Sequence, residues 1–181
     1  MNANNCNTSD LVELLQKSAV EHLTTYRQYV AREFGCVVTI VTTDYEALYA
    51  YKRGDYQRCL QLSTQNVHTL LYARRMTDVL PFPEFIQLMD DDIVSLITLT
   101  LVVNPASHYC DCSVTQLTLS LYLMTRCQLK LRHSVTSLAQ TLNYIEVAQR
   151  RHEPDSTMNQ LVLKLTERKA VTYMRNKTSA V

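Results

Sequence analysis

The sequence predicts an all-α protein, an array of about seven helices packed as antiparallel pairs. Three observations lead there. Apolar residues recur at i, i+3, i+4 and i+7 in one segment after another, the spacing of a helix that buries one face. The breaks between these segments carry helix-ending chemistry, with Gly54, Pro81, Pro83, Asn104-Pro105 and Pro154 at the junctions. Glycine is scarce: only Gly35 and Gly54 occur, where average usage of about 7% would give roughly a dozen, and tight β-hairpins lean on glycine.

Taken in order, Ser9-Asp10 with Glu13 forms a capping signal before the stripe Leu11, Leu14, Leu15, Ser18, His22, Tyr26, Val30 and Phe34. This places a first helix over about 10–34, with Gly35 as its C-terminal cap. The β-branched segment CVVTIVTTD (36–44) has no second strand to pair with, so it reads as an extended link into a helix capped near Thr43 or Asp44. That helix carries Tyr45, Ala47, Leu48 and Tyr51 and ends near Arg53. After Gly54, the stripe Tyr56, Cys59, Leu60, Ser63, Val67, Leu70 and Leu71 gives the clearest helix in the chain.

Pro83 can open but not sit inside the next helix, expected over Glu84 to about Val103. Its second half is apolar nearly all round, which predicts a central position. Asn104-Pro105 ends it, and ASHYCDC reads as a loop. Ser113 with Gln116 forms a capping box for a helix to about Leu131. Ser134 starts another, with Val135, Leu138, Ala139, Leu142, Ile145 and Ala148 on one face. Ser156 begins a last helix bearing Met158, Leu161, Val162 and Leu165. The whole reads as a single domain over 1–181, with residues 1–9 and 176–181 expected to be disordered.

Composition removes several function classes. Eighteen Lys and Arg against 17 Asp and Glu leave a net charge of +1, without the basic face of a nucleic-acid binder. A dinucleotide fingerprint, a phosphate-cradling P-loop and a G-x-S-x-G elbow all need glycines that this chain lacks. The longest apolar run, IVSLITLTLVV (93–103), is too short to span a bilayer. The start MNANNCNTSD has neither an apolar run nor a basic leader, so the expected compartment is the cytoplasm, with the six cysteines as reduced thiols, several of them buried. The expectation is a protein without a cofactor.

Two clusters invite chemistry. His108, Cys110 and Cys112, with Cys127 or His133 nearby in sequence, hold zinc-ligand types, but C-x-C is not the usual C-x2-C spacing. Reduced loop thiols are the plainer account; a metal or redox switch, or an all-α enzyme using this loop, is the alternative function. Asp90, Asp91 and Asp92 cannot converge on one ion from a helix, since neighbours diverge by about 100°. They read as a capping, solvated face.

At ALYAYKRGDYQRCLQL (47–62) the chain resembles the tetratricopeptide repeat family. Ala47, Tyr51, Gly54, Asp55, Tyr56 and Cys59 fit that family's small residue, aromatic, Gly-Asp-Tyr turn and second small residue, over about residues 40–73. Two departures stand out: Asn66 replaces the small residue at the end of the second helix, and His133-Ser134-Val135 stands where a later turn would align. Sliding Tyr56 onto Val135 superimposes two buried stripes.

The resemblance implies a non-catalytic scaffold that binds a peptide or helix in a groove. It implies a groove lined by Asp44, Leu48, Tyr51 and Lys52, with apolar-aromatic contacts and one charged anchor. With so few pairs, the array would be the end of a longer one or would self-associate. Arg53-Gly54-Asp55 also matches an adhesion tripeptide, but the turn explains it: Gly54 supplies positive φ, Asp55 caps the next helix and Tyr56 opens its buried stripe.

Overall fold

The structure is a computed structural model that describes residues 17, 36–72, 78–79, 91–103, 114–151 and 157–179. Among these the chain is all-α, with helices α1 (Cys36–Lys52), α2 (Tyr56–Tyr72), α3 (Asp91–Val103), α4 (Gln116–Lys130), α5 (Val135–Arg151) and α6 (Thr157–Thr178). One two-residue antiparallel ladder joins β1 (Asp78–Val79) to β2 (Val114–Thr115), pairing Asp78 with Thr115 and Val79 with Val114. Apart from Lys17, the first expected helix lies outside the described residues, as do its Gly35 cap, the Pro81–Pro83 break and the His108/Cys110/Cys112 loop.

The α1–α2 turn follows from its residues. The peptide N–H of Gly54 donates to the Tyr51 carbonyl, and that of Asp55 reaches back to Ala50, closing the end of α1. Gly54 sits at φ +80°, where a side chain would be strained. Asp55 then caps α2, its Oδ1 accepting from the Arg58 N–H at 3.0 Å. Arg53, Gly54 and Asp55 are all exposed, but Asp55 is engaged in this cap and the Arg53 guanidinium donates to the Tyr49 hydroxyl. Tyr51 and Tyr56 meet edge to face at 5.6 Å across the turn, with the Lys130 ammonium over the Tyr56 ring.

Hairpin α1–α2 packs against α4, which touches both of its helices. Hairpin α4–α5 is in turn packed by α6, which touches both α4 and α5. Helix α3 lies outside this nesting, against α6. Two apolar clusters fill the interior. One joins Leu48, Cys59, Tyr122, Cys127, Met158 and Val162, and the other joins Val67, Leu70, Leu121, Ile145 and Leu163.

The structure corrects the sequence reading in four places. Segment 36–44 is helical, part of α1, and not an extended link. Helix propensity disfavours β-branched residues by at most about 0.7 kcal/mol each, and burial of the stripe Asp44, Ala47, Leu48 and Tyr51 on one helical face outweighs it. The central helix is α4, not the segment ending at Val103: Gln116 through Thr125 are buried without interruption, whereas Leu99 is 58% and Val102 72% exposed. Several polar residues inside α4 are satisfied locally or by neighbours: Thr125 donates to the Leu121 carbonyl and the Gln128 amide bonds Thr141 and Ser137, while Gln116 Nε2 is buried and makes no hydrogen bond.

The N-cap of α4 is Thr115, whose hydroxyl accepts from the Thr118 N–H, with Ser113 outside the described residues. Finally, 176–178 is helical where disorder was expected. Lys177 Nζ donates to the carbonyls of Arg132 and His133 at the α4–α5 turn, where Arg132 has φ 55°, and so holds the end of α6 in place. Smaller differences concern α6, in which Leu161 is exposed and Asn159 takes an interior position, its Oδ1 accepting from the Thr115 N–H. The Ser134 start of α5 stands as read: its hydroxyl accepts from the Ser137 N–H.

Candidate interaction site

Of the four residues expected to line a groove, three are interior. Asp44 and Leu48 have no exposed surface and Tyr51 retains 9%; Lys52 alone is exposed. A fully buried carboxylate cannot touch a partner, so the expected role of Asp44 and Leu48 as groove lining is corrected to a role in the core. The face that the resemblance assigned to a groove is the stripe that α1 buries against α2 and α4.

Asp44 is instead the hub of a buried polar cluster. Its Oδ1 accepts from Asn66 Nδ2 of α2 at 2.7 Å and from the Ser120 hydroxyl of α4 at 2.9 Å. Oδ2 has no hydrogen-bond partner. Burial pushes the Asp44 pKa from 3.8 up to about 7, the bonds from Ser120 and Asn66 pulling the other way. Asn66, the departure from the repeat pattern, thus has a structural reason: its amide is one of two donors that the buried carboxyl requires.

A second cluster lies where α3, α4 and α6 meet. The Asp92 carboxylate, in the first turn of α3, receives three groups at Oδ2: Lys169 Nζ at 2.7 Å, the Tyr122 hydroxyl at 3.3 Å and Arg126 Nη1 at 3.8 Å. Arg126 Nε donates to the Tyr51 hydroxyl at 3.1 Å, which extends the cluster to α1. Side chains here are neither sealed nor free: Arg126 keeps 23% of its surface, Lys169 26% and Asp92 38%. The Lys169 contact is the close, charge-assisted one, while Arg126 holds the carboxylate at longer range and is itself oriented by Tyr51. Two cations from α4 and α6 therefore face one anion supplied by α3.

Tyr51 is the one expected site residue that reaches this cluster. Asp92, Arg126 and Lys169 were missed. A signal existed for Arg126, which stands alone as a charge within QLTLSLYLMTRCQ (116–128) and so implies a partner. Asp92 reads as solvated in the sequence because no local rule links it to residues thirty or more positions away.

The buried thiols Cys59 and Cys127 do not extend either cluster. Both are unbridged, and the contact with Cys59, together with burial, pushes the Cys127 pKa upward. A thiol held protonated is a poor nucleophile and a poor metal ligand, so Cys127 serves the core, where it packs in one cluster with Cys59. Among the described residues, no three His, Cys, Asp or Glu side chains gather as a metal site, and no helix is long and apolar enough to cross a membrane.

The chain matches no protein-family model, no curated protein and no solved structure.

Proposed function

We propose that the protein is an interaction module of stacked helical hairpins, whose partner-binding surface includes the exposed Lys52 of α1 and the Arg126 and Lys169 of α4 and α6. The observation that carries this reading is the Asp92 cluster, in which α4 and α6 already hold an apolar helix by its carboxylate. The nesting of α4 over the α1–α2 hairpin, and of α6 over the α4–α5 hairpin, supports the repeat reading, in which each hairpin packs on the next. Under that reading α2 and α5 are corresponding second helices, in agreement with the alignment of Tyr56 with Val135, and α3 belongs to an insertion between two repeats. The resemblance to tetratricopeptide repeats supports the same assignment for residues 40–73.

The direct test is affinity capture from cell extract with the native chain and a Lys52→Glu/Lys169→Glu variant, both first shown by circular dichroism to be equally helical. A partner retained by the native chain and lost by the variant supports the module and its surface. Equal retention by both removes the surface assignment, and no partner for either removes the reading.

A further inference from the structure

We infer that the C-terminal ends of α4 and α6 form a binding surface for single-stranded nucleic acid, in which Lys130, Arg132, Arg175 and Lys177 meet phosphates and the rings of Tyr56 and Tyr173 meet bases. This goes beyond the interaction-module reading and does not depend on it.

The whole-chain charge of +1 conceals a segregation. Neither residues 112–145 nor residues 168–181 contain Asp or Glu, so every charge on α4, and every charge after Glu167 in α6, is positive. Folding brings the ends of these two stretches together. Lys177 Nζ lies 3.4 Å from the carbonyl oxygen of Arg132 and 3.0 Å from that of His133, at the turn that follows α4. Arg175 sits on the same last turns of α6. The Lys130 ammonium lies 5.9 Å from the centroid of the Tyr56 ring, which adds the start of α2 to the surface, and Lys177 lies 5.7 Å from that of Tyr173. All four cations are exposed and both rings are half-buried.

A helix C-terminus attracts a cation through its dipole, but that accounts for a part only. Of the four, Lys177 is the one that donates to main-chain carbonyls. Among the described residues, no carboxylate lies within ion-pair distance of any of them. Asp55, next to Tyr56 in sequence, has its Oδ1 engaged by the Arg58 N–H. A solvated face laced with ion pairs would carry both signs; this one is basic throughout.

The interleaving of cations with aromatic rings selects the ligand. Ammonium groups take phosphates as point charges, and a guanidinium fork matches two phosphate oxygens. Each lysine can swing from its ring to a phosphate and leave the ring as a stacking platform for a base. An acidic peptide would use the cations and neither ring. A duplex keeps its bases stacked on one another, so a single strand is what these rings can hold. Sequence reading finds no basic face because the cations come from segments 45 positions apart.

The experiment titrates the full chain into a fluorescein-labelled oligouridylate RNA of about twelve nucleotides and follows anisotropy. Four phosphate contacts predict that log affinity falls with log salt at a slope of about −3. Arg132→Gly removes one cation at a φ of 55°, where glycine is at ease, and Arg175→Gln removes a second from the exposed side of α6. Together they should weaken binding at least about tenfold at about 0.1 M salt and flatten the slope by about 1.4. Tyr173→Leu should weaken binding at least about fivefold with the slope unchanged. Arg150→Gln, at the far end of α5, should change nothing. Absence of saturable binding by the unaltered chain overturns the proposal. So does affinity indifferent to Arg132→Gly/Arg175→Gln when cooperative unfolding is intact, or a duplex that binds as tightly as the single strand. An oligoglutamate peptide that competes as well as unlabelled RNA, with Tyr173→Leu neutral, makes this a surface for acidic protein and also overturns it. None of these outcomes bears on partner capture through Lys52 and Lys169.

Discussion

Helices α3 and α4 make an instructive pair. By sequence α3 is the more apolar, DDIVSLITLTLVV against QLTLSLYLMTRCQLK, and would be chosen as the centre of the fold. The structure reverses them: α4 is buried over ten consecutive residues despite its Gln, Thr and Ser side chains, and α3 leaves Leu99 and Val102 in solvent. Helices on several sides, not apolar content, make a helix central. The polar residues of α4 are tolerated because Ser120, Thr125 and Gln128 each find a partner within or across the interface. The apolar residues of α3 stay exposed because, among the described helices, its substantial packing is against α6 alone.

Truncation at the two helices should separate them most sharply. Leu121→Ala in α4 removes a side chain with no exposed surface and should cost about 2–5 kcal/mol in chemical denaturation. Leu99→Ala in α3 should change stability by less than about 0.5 kcal/mol. Comparable losses at the two positions would mean that α3 is core after all.

The Asp44 cluster ties α4 to the first hairpin and gives that contact a pH dependence. The folded pKa of about 7 lies above the unfolded 3.8, so the folded state binds the proton more tightly. Its contribution is full below about pH 4 and is lost as pH rises through 7, a fall of up to about 4 kcal/mol for a shift of this size. Urea midpoints measured from pH 4 to 8 should show this decline, after allowance for the other titrating groups. Asp44→Asn keeps an oxygen acceptor for Ser120 and Asn66 and should flatten this component, leaving the variant more stable than the parent at pH 8. A parallel pair of profiles would show that Asp44 ionises freely in the folded state.

A smaller effect is expected at the turn. Gly54→Ala meets no neighbour within 4 Å of the added Cβ, so its cost is purely the backbone at φ +80°, about 1–2 kcal/mol in thermal or chemical unfolding. No loss would mean that the turn relaxes at little cost.

The parts legible in the sequence are those that local chemistry decides. Gly54, Asp55 and Tyr56 act within five residues of one another, and the reading of turn, cap and buried stripe holds in the structure. The same is true of Ser134 at the start of α5. The site was not legible, because its contacts span the chain: Asp44 with Ser120, Asp92 with Tyr122 and Lys169, Tyr51 with Arg126. Helical periodicity showed that Asp44, Leu48 and Tyr51 share a face, but a shared face is as much a core stripe as a groove. What covers that face is decided by α4, and no spacing within α1 encodes it.

The central claim is that α4 is the fixed centre of the molecule and α3 a helix held chiefly at one end. Native-state amide hydrogen exchange, read residue by residue, tests it most directly. The account predicts that amides of Leu117–Gln128 exchange only through global unfolding. Those of Leu96–Val103 should exchange through local opening, at least about a hundredfold faster. Equal protection in the two helices, with one shared dependence on denaturant, would contradict it.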